Sequence, residues 1–355
     1  MSGSQSDAGS VVVAIDLGTG GPKVGLVGLD GRLLWSGLRP VPTDRPASGR
    51  AVQEAELWWI TTVDLVCEGL ATSGVAPGAV VAFAVTGQWG STVPVDPEGR
   101  PVGRARTWQD NSAARYSREV IGGPVLGYHP LRLATWIRRT AGAPSPLGGD
   151  PVSHLLGYLR DEPDVAARTR WFLEPVDFLT MRLTGRASAT AASMSAAWLI
   201  DVRGERTAYD QDLVRLAGVD GERLPPLLPA NSVVGPLLPE VARRMGLSSE
   251  VVVVTGMPDT HSGWTGSGRT EEGALHLAIS TSSWISAAVS RKRTDVVHSV
   301  ATIPGLLPGG YLIADNHESA GSALAWLRDL GLGATFTDLT RMAGRSPAGA
   351  NGVIF

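Results

Sequence analysis

The stretch Val11-Val12-Val13-Ala14-Ile15-Asp16-Leu17-Gly18-Thr19-Gly20-Gly21-Pro22-Lys23-Val24 decides the fold. Val11–Ile15 is apolar and mostly β-branched, the composition of a buried strand. Gly18, Gly20 and Gly21 then permit a tight reversal, and Lys23–Leu29 resumes as a second apolar strand. Asp30-Gly31 is a strong hairpin signal leading into a third strand, Arg32–Leu38. Glu54–Gly69 carries Leu57, Ile60, Val63, Leu65 and Cys67 at helix-compatible spacing, and Val80–Val85 is again a fully apolar strand. The chain therefore opens with antiparallel strands followed by a helix and a further strand.

That order resembles half of a ribonuclease-H-like α/β domain. Further along, Ser91–Val95 and the turn Asp96-Pro97-Glu98-Gly99 suggest another hairpin. Residues 111–245 read as mostly helical, with Pro/Gly-rich breaks near 142–151 and 225–236. Val251–Thr255 returns to a buried strand, and Gly256–Gly268 is a turn leading into a small-residue helix. The opening pattern then recurs weakly. Ala274–Ser280, Trp284–Val289 and Val296–Ile303 are strand candidates, with Gly310–Ala314 as another, and Ser319–Leu330 follows as a helix. Val353–Phe355 reads as the start of one more strand, so the second domain is expected to be cut short.

With 355 residues, 43% of them apolar and 18% charged, the chain has room for two domains and their cores. A formal charge of −3 gives no broad electrostatic reason to expect nucleic acid or anionic membrane as a partner. No apolar run reaches the length of a membrane span. Met1–Ser10 is a small, polar leader without the pattern of a secretion signal. Cys67 is the only cysteine, which excludes an intramolecular disulfide and makes a cytoplasmic setting the default.

Four constellations can carry chemistry. In the first, glycines between two strands let backbone amides approach phosphate oxygens, and Thr19 adds a hydroxyl. Asp16, ending a buried strand, can hold magnesium directly or through water, while Lys23 either meets phosphate or packs outward. The bland alternative is an ordinary Gly-rich hairpin. The second constellation, Ser280-Thr281-Ser282-Ser283, occupies the matching place in the repeat and can clamp a polyphosphate from the other side, or be a polar turn. The third is Gly256-Met257-Pro258-Asp259-Thr260-His261. A carboxylate just past a buried strand sits where open sheets bind ligands. Asp259 can take the proton of an attacking hydroxyl, or it can simply cap a helix. His261 reads as packing or surface, because no partner stands at ligand spacing. The fourth is Thr86-Gly87-Gln88-Trp89-Gly90, where Gln88 offers an amide and Trp89 a flat face; Trp108-Gln109-Asp110-Asn111 adds a polar edge. With eleven tryptophans, packing is the competing role for each of them.

Together these segments resemble the FGGY family of carbohydrate kinases, within the actin-like ATPase superfamily, over essentially all of residues 11–355. Asp16–Lys23 looks like the family's first phosphate motif, Val52–Trp59 its early Glu-rich segment, and Pro175–Gly185 (PVDFLTMRLTG) its mid-domain helix. Gly256–Gly268 looks like the catalytic-aspartate segment; Ser282-Ser283-Trp284-Ile285 and Gly310–Arg328 point to xylulokinase-type members. The resemblance implies a ribonuclease-H-like two-domain α/β kinase: residues 1–10 as leader, 11–268 as sugar-binding domain, and 269–355 as the start of an incomplete nucleotide-binding domain.

It also implies Asp259 as general base, Asp16 as the magnesium-organising carboxylate, and Gly18, Thr19, Gly20, Lys23, Thr281 and Ser282 around the phosphates of ATP. Gln88, Trp89, Asp110 and Thr260 would face a sugar or polyol. The implied substrate is a ketopentose such as xylulose, with ribulose, gluconate, glycerol or another polyol as alternatives. A catalytically silent sugar-binding product is a further alternative, and a homodimer is left open. In two places the chain departs from the pattern: Ser280 stands where a glycine is usual, and Trp89-Gly90 replaces a Met-His pair common in xylulose-specific members.

Overall fold

The computed structural model describes residues 9–353 apart from 141, 204–207, 269, 280–282, 294, 296–299, 307–309, 318–319 and 331–334. The opening strands are β1 (Val11–Gly18), β2 (Gly21–Gly28) and β3 (Leu33–Leu38), followed by helix α1 (Ala55–Thr72) and strand β4 (Val80–Gly87). The expected order is therefore present, with β1, β2 and β4 each running longer than their apolar runs suggest.

Period-two alternation explains how β1 sits. Val11, Val13, Ile15 and Leu17 are buried on one face, which leaves Ala14 and Asp16 on the half-buried other face. In β4, Phe83, Val85 and Gly87 are buried, and Thr86 shares the face of Asp16 because the two are register partners. Helix α1 packs Trp58, Val63, Leu65 and Val66 onto this sheet in one core with Ile15, Leu17, Leu26 and Phe83. Each such side chain contributes roughly 1.5–3 kcal/mol of burial free energy.

The middle of the chain is mostly helical, as expected, with short strands interspersed; its helices include α2 (Pro151–Asp161) and α3 (Pro175–Thr184). Both begin at proline, which supplies a fixed φ and lacks the N–H that would go unpaired there. Gly185 at φ +70° ends α3 in the left-handed region. The chain then returns to the first sheet through β5 (Val233–Pro236), β6 (Val252–Val254) and β7 (Met257–Pro258), and enters α4 (Asp259–Gly266). The seven-stranded sheet runs β5-β6-β4-β1-β2-β3, with β7 also on β4. Strands β1, β6 and β7 are all parallel to β4, so their C-terminal ends share one edge.

A second, four-stranded sheet is formed by β8 (Leu275–Ile279), β9 (Ser283–Val289), β10 (Ala301–Pro304) and β11 (Tyr311–His317), and α5 (Gly321–Asp329) follows it. Its hairpin β8–β9 repeats β1–β2, but the order is β8-β9-β11-β10, so the expected third strand pairs with the fourth rather than with the second. Residues 296–299 of that expected strand lie outside the described residues. Near the end, Val353 belongs to no strand and follows a single helical turn, Ala350–Gly352. Tyr311 Oη donates to the Val202 carbonyl (2.8 Å), and Lys292 Nζ donates to the carbonyls of Ile137 (2.7 Å) and Arg138 (2.8 Å), tying this sheet to the helical region. Among the described residues, no helix is long and apolar enough to cross a membrane.

Candidate active site

The shared edge of β1, β4 and β7 brings the candidate groups together. Asp16 pairs with Thr86, Thr86 with Met257, and Gly87 with Pro258, so Asp259 emerges at the same sheet edge as Asp16, with β4 between them. Gly87 makes this approach possible. A Cβ there would stand 2.5 Å from the Leu17 carbonyl oxygen, inside the space of the neighbouring strand. Gly87→Ala is therefore expected to lose about 1–3 kcal/mol in urea denaturation, the usual cost of overpacking. An unchanged midpoint would show that the strands can part freely.

Asp259 is the first residue of α4, and Pro258 holds the N-cap position without a side-chain cap bond. Asp259 itself serves the helix start, so the capping role and the base role are both compatible with this position. Its Oδ1 accepts the adjacent Thr260 N–H at 2.8 Å. Burial pushes the Asp259 carboxyl up to about 6; the Thr260 N–H opposes that shift, the charge of Asp16 adds to it, and Lys23 reduces it. A hydrogen bond of 2.6 Å between the hydroxyls of Thr86 and Ser262 pins the first turn of α4 to β4. Thr260 is buried, and so is His261, whose Nε2 donates to the Pro304 carbonyl at 2.8 Å. That is a packing role.

Asp16 and Lys23 are register partners across the β1–β2 hairpin and form an ion pair of 2.8 Å, both partly exposed. Asp16 Oδ1 makes no hydrogen bond among the described residues, which suits a carboxylate that also meets a cation. Magnesium typically takes only one or two carboxylates and completes its shell with water and phosphate oxygens. Asp16 fits that requirement, and among the described residues no cluster of three or more acidic, His or Cys side chains offers a full protein cage.

The turn itself is held from outside. Gly21 at φ +128° would drive a Cβ to 2.1 Å from the Arg39 carbonyl oxygen, so only glycine fits. The Gly20 carbonyl accepts the Val41 N–H (2.9 Å), and nothing stands within 4 Å of a Cβ at Gly20. Gly18 is equally open, with its nearest neighbour, the Gly21 oxygen, at 3.7 Å. Two residues that sequence reasoning did not single out as anchors fasten Thr19. Gln53, fully buried, donates to the Thr19 carbonyl at 2.8 Å while accepting the Trp58 indole N–H at 3.1 Å. The Trp108 indole donates to the Thr19 hydroxyl at 2.9 Å. With its acceptor side used, the Thr19 hydroxyl keeps its proton for a ligand oxygen.

The Gln88–Ser91 loop leaves the same edge: the Gln88 N–H donates to the Leu17 carbonyl at 2.9 Å. The Gln88 side chain is 3% exposed; its Oε1 accepts the Ser91 hydroxyl (3.1 Å) and its Nε2 is buried without a partner. A buried donor of this kind is costly to leave unpaired. Trp89 is half-buried, and its indole N–H donates to the Ser193 carbonyl at 2.8 Å.

Asp110, expected at the sugar edge, is held by bonds within the chain. It is 0% exposed, and both oxygens are occupied within the chain: Oδ2 accepts the Ala51 N–H (2.9 Å), Oδ1 the Ser112 hydroxyl (2.6 Å) and N–H (3.1 Å). Arg106, also 0% exposed, stands 3.8 Å from it. These bonds brace the loop. Thr281 and Ser282, with Ser280, lie outside the described residues.

Comparison with known proteins bears on this geometry. Residues 11–266 match the model for the N-terminal domain of the FGGY family of carbohydrate kinases. Xylulose kinase of Lactococcus lactis is 26% identical over 346 residues, covering 97% of this chain and 66% of that protein. Xylulose kinase of Bacillus subtilis is 24% identical over 348 residues, covering 97% and 67%. The chain thus spans about two thirds of the length of these curated relatives. Among solved structures, gluconate kinase from Lactobacillus acidophilus superposes with a TM-score of 0.83 at 19% identity, covering 97% of this chain and 68% of that one. Xylulose kinase from Rhodospirillum rubrum gives 0.82 at 24% identity, covering 97% and 69%. What these structures share with the chain is the fold, an α/β arrangement over nearly its whole length.

Proposed function

The chain belongs to the FGGY family of carbohydrate kinases, and from that premise we propose that it transfers the γ-phosphoryl group of ATP to a hydroxyl of a small sugar, D-xylulose first among the candidates. The observation that carries this reading is the placement of Asp259 and Asp16 at one sheet edge, on either side of β4. One carboxyl is poised at about 6, and the other is half-exposed and held by Lys23.

In this reading the sugar hydroxyl oxygen attacks the γ-phosphorus, the bond to the bridging β,γ oxygen breaks, and ADP leaves. The hydroxyl proton passes to the Asp259 carboxylate. A base whose pKa lies just below the working pH is ionised yet still basic enough for that transfer. The Gly18–Gly21 turn supplies backbone amides and the Thr19 hydroxyl for phosphate oxygens, and Lys23 adds a positive charge. Asp16 would hold Mg²⁺, which when bound neutralises charge on the phosphates, while Asp259 stays free to accept the proton. Positioning and charge neutralisation are the main demands of phosphoryl transfer, and these residues address both.

The sugar is proposed to lie against the Gln88–Trp89 loop and Thr260. Xylulose is favoured by the names of the curated relatives, with ribulose, gluconate and glycerol as competitors. A cytoplasmic place of action, supported by the single cysteine Cys67, belongs to the same reading. An ADP-release assay across D-xylulose, D-ribulose, D-gluconate and glycerol tests it. D-xylulose is expected to give the highest kcat/KM, and ADP release that no sugar stimulates would remove the proposal.

A further inference from the structure

Glu174 immediately precedes α3 and is only 2% exposed, although the reaction above gives it no task. Its Oε2 accepts the backbone N–H groups of Gly90 (3.0 Å) and Ser91 (3.3 Å), more than eighty residues earlier in the chain. Its Oε1 is buried without a partner. Asp177, within the first turn of α3, is 1% exposed, and its Oδ2 is likewise buried and unpartnered. Burial first, and then the neighbouring charge of Asp177, hold the Glu174 carboxyl well above the usual carboxylate range, which favours its neutral form.

The loop on which this carboxyl acts is also fastened by the Gln88 N–H to the Leu17 carbonyl and by the Trp89 indole to the Ser193 carbonyl, but neither bond reaches the Gly90 and Ser91 backbone. The Trp108 N–H can only donate, so Ser91 Oγ accepts it at 2.9 Å and spends its own proton on Gln88 Oε1 at 3.1 Å. A flipped Gln88 amide would strand that Ser91 proton. Gly90 lies at φ +80°, where the backbone needs a glycine and has no side chain to lock it. Its conformation depends on what its N–H meets, and that partner is Glu174.

We propose that Glu174 is a positioning residue for sugar binding, whose carboxyl group clamps the Gly90 and Ser91 backbone so that the Gln88–Trp89 segment meets the ligand. The inference rests on the reading of that segment as the sugar-facing loop, and its test separates the two ideas.

Calorimetric titration with D-xylulose and, separately, with Mg-ADP is carried out on the unaltered chain and on Trp89→Ala, Glu174→Leu and Glu174→Gln, with thermal melts alongside. Trp89→Ala and Glu174→Leu are each expected to weaken D-xylulose binding about tenfold or more, as the loss of a buried hydrogen-bonded contact does. Mg-ADP affinity stays the same. Glu174→Gln restores D-xylulose affinity to within about twofold, because its amide oxygen still accepts both N–H groups and, like the neutral acid, brings no charge. Should Glu174→Leu fail to fold, Glu174→Asp decides, since a carboxyl one methylene shorter cannot span the gap; it is expected to weaken D-xylulose binding in the same way. Unchanged binding in Trp89→Ala, or no D-xylulose binding by the unaltered chain, overturns the sugar-loop reading and this inference with it. Weakened binding in Trp89→Ala with unaltered affinity in Glu174→Leu or Glu174→Asp overturns the role of Glu174 alone. Equal losses of sugar and Mg-ADP affinity in the Glu174 variants also overturn it, because they mark a general structural defect.

Discussion

Asp259→Asn is expected to lower kcat about 10²–10⁴-fold, the usual contribution of a positioned general base, while D-xylulose affinity changes by less than about threefold. The amide keeps the shape and still accepts the Thr260 N–H now made to Oδ1 at 2.8 Å, so the helix start survives and only proton acceptance is lost. The same substitution should stabilise the fold. The Asp259 carboxyl has a folded-state pKa of about 6 against an ordinary 3.8. The unfolded chain therefore loses this proton first as pH rises. Stability conferred by the raised pKa is complete below pH ~4, declines between ~4 and ~6, and is gone above that. Asn has no such penalty. At pH 8 the variant should be more stable by about 2 kcal/mol, allowing for the partial exposure of the group, and the gain should vanish near pH 4. Urea melts at the two pH values measure it. In the unaltered chain kcat/KM should fall tenfold per unit below about pH 6, as the base protonates. A loss of stability at pH 8 together with a flat acid limb would contradict the assignment of a buried, ionisable base.

Arg106→Ala is expected to cost about 3–5 kcal/mol in urea denaturation, the largest stability effect foreseen in this chain. Arg106 is 0% exposed and joins Glu162 at 2.7 Å, lies 3.8 Å from Asp110, and sits over the Tyr158 ring at 4.7 Å from its centroid. Removing it leaves the fully buried Asp110 with only Arg50, 3.9 Å away, as a cation nearby, and truncating one partner of a buried ionic cluster is far costlier than never having built the cluster. The space around it is also tight: a Cβ at Gly157 on α2 would stand 2.3 Å from Arg106 Nη1. Because Asp110 braces the loop that carries Trp108, the substitution should also loosen the indole bond to Thr19 and raise KM for ATP. A destabilisation below about 1 kcal/mol would mean that solvent or a neighbour replaces the guanidinium without difficulty.

The parts of this architecture that were legible in the sequence are those with a local signature. Alternation in Val11–Leu17, glycines at the turn and Asp30-Gly31 set the first hairpins, because strand period and positive φ are properties of adjacent residues. Asp259 was legible for a similar reason, since a carboxylate directly after an apolar strand must emerge at the strand end. The order of the second sheet was not. Which strand lies beside β9 is settled by the return of Tyr311–His317, a choice that strand composition does not encode. The surroundings of Asp110 were not legible either. Its polarity in a Trp-rich segment suggests a ligand edge, while the Arg106 four residues earlier is the available signal of a buried ionic partner. Gln53 and Glu174 act on backbone groups 34 and more than eighty residues away, and no periodicity connects them to Thr19 or Gly90. The described residues also omit Thr281 and Ser282, so the opposing clamp inferred from the repeat remains a sequence-based expectation.

The most direct test of the central claim, that Asp259 removes the proton of the attacking sugar hydroxyl, is D-xylulose-dependent ADP release at pH 8 by the unaltered chain and by Asp259→Asn, with sugar affinity measured in parallel. The account predicts sugar-stimulated ADP release that falls at least about 10²-fold in the variant while D-xylulose still binds. Equal rates in the two proteins, or no stimulation by sugar in the unaltered chain, would contradict it.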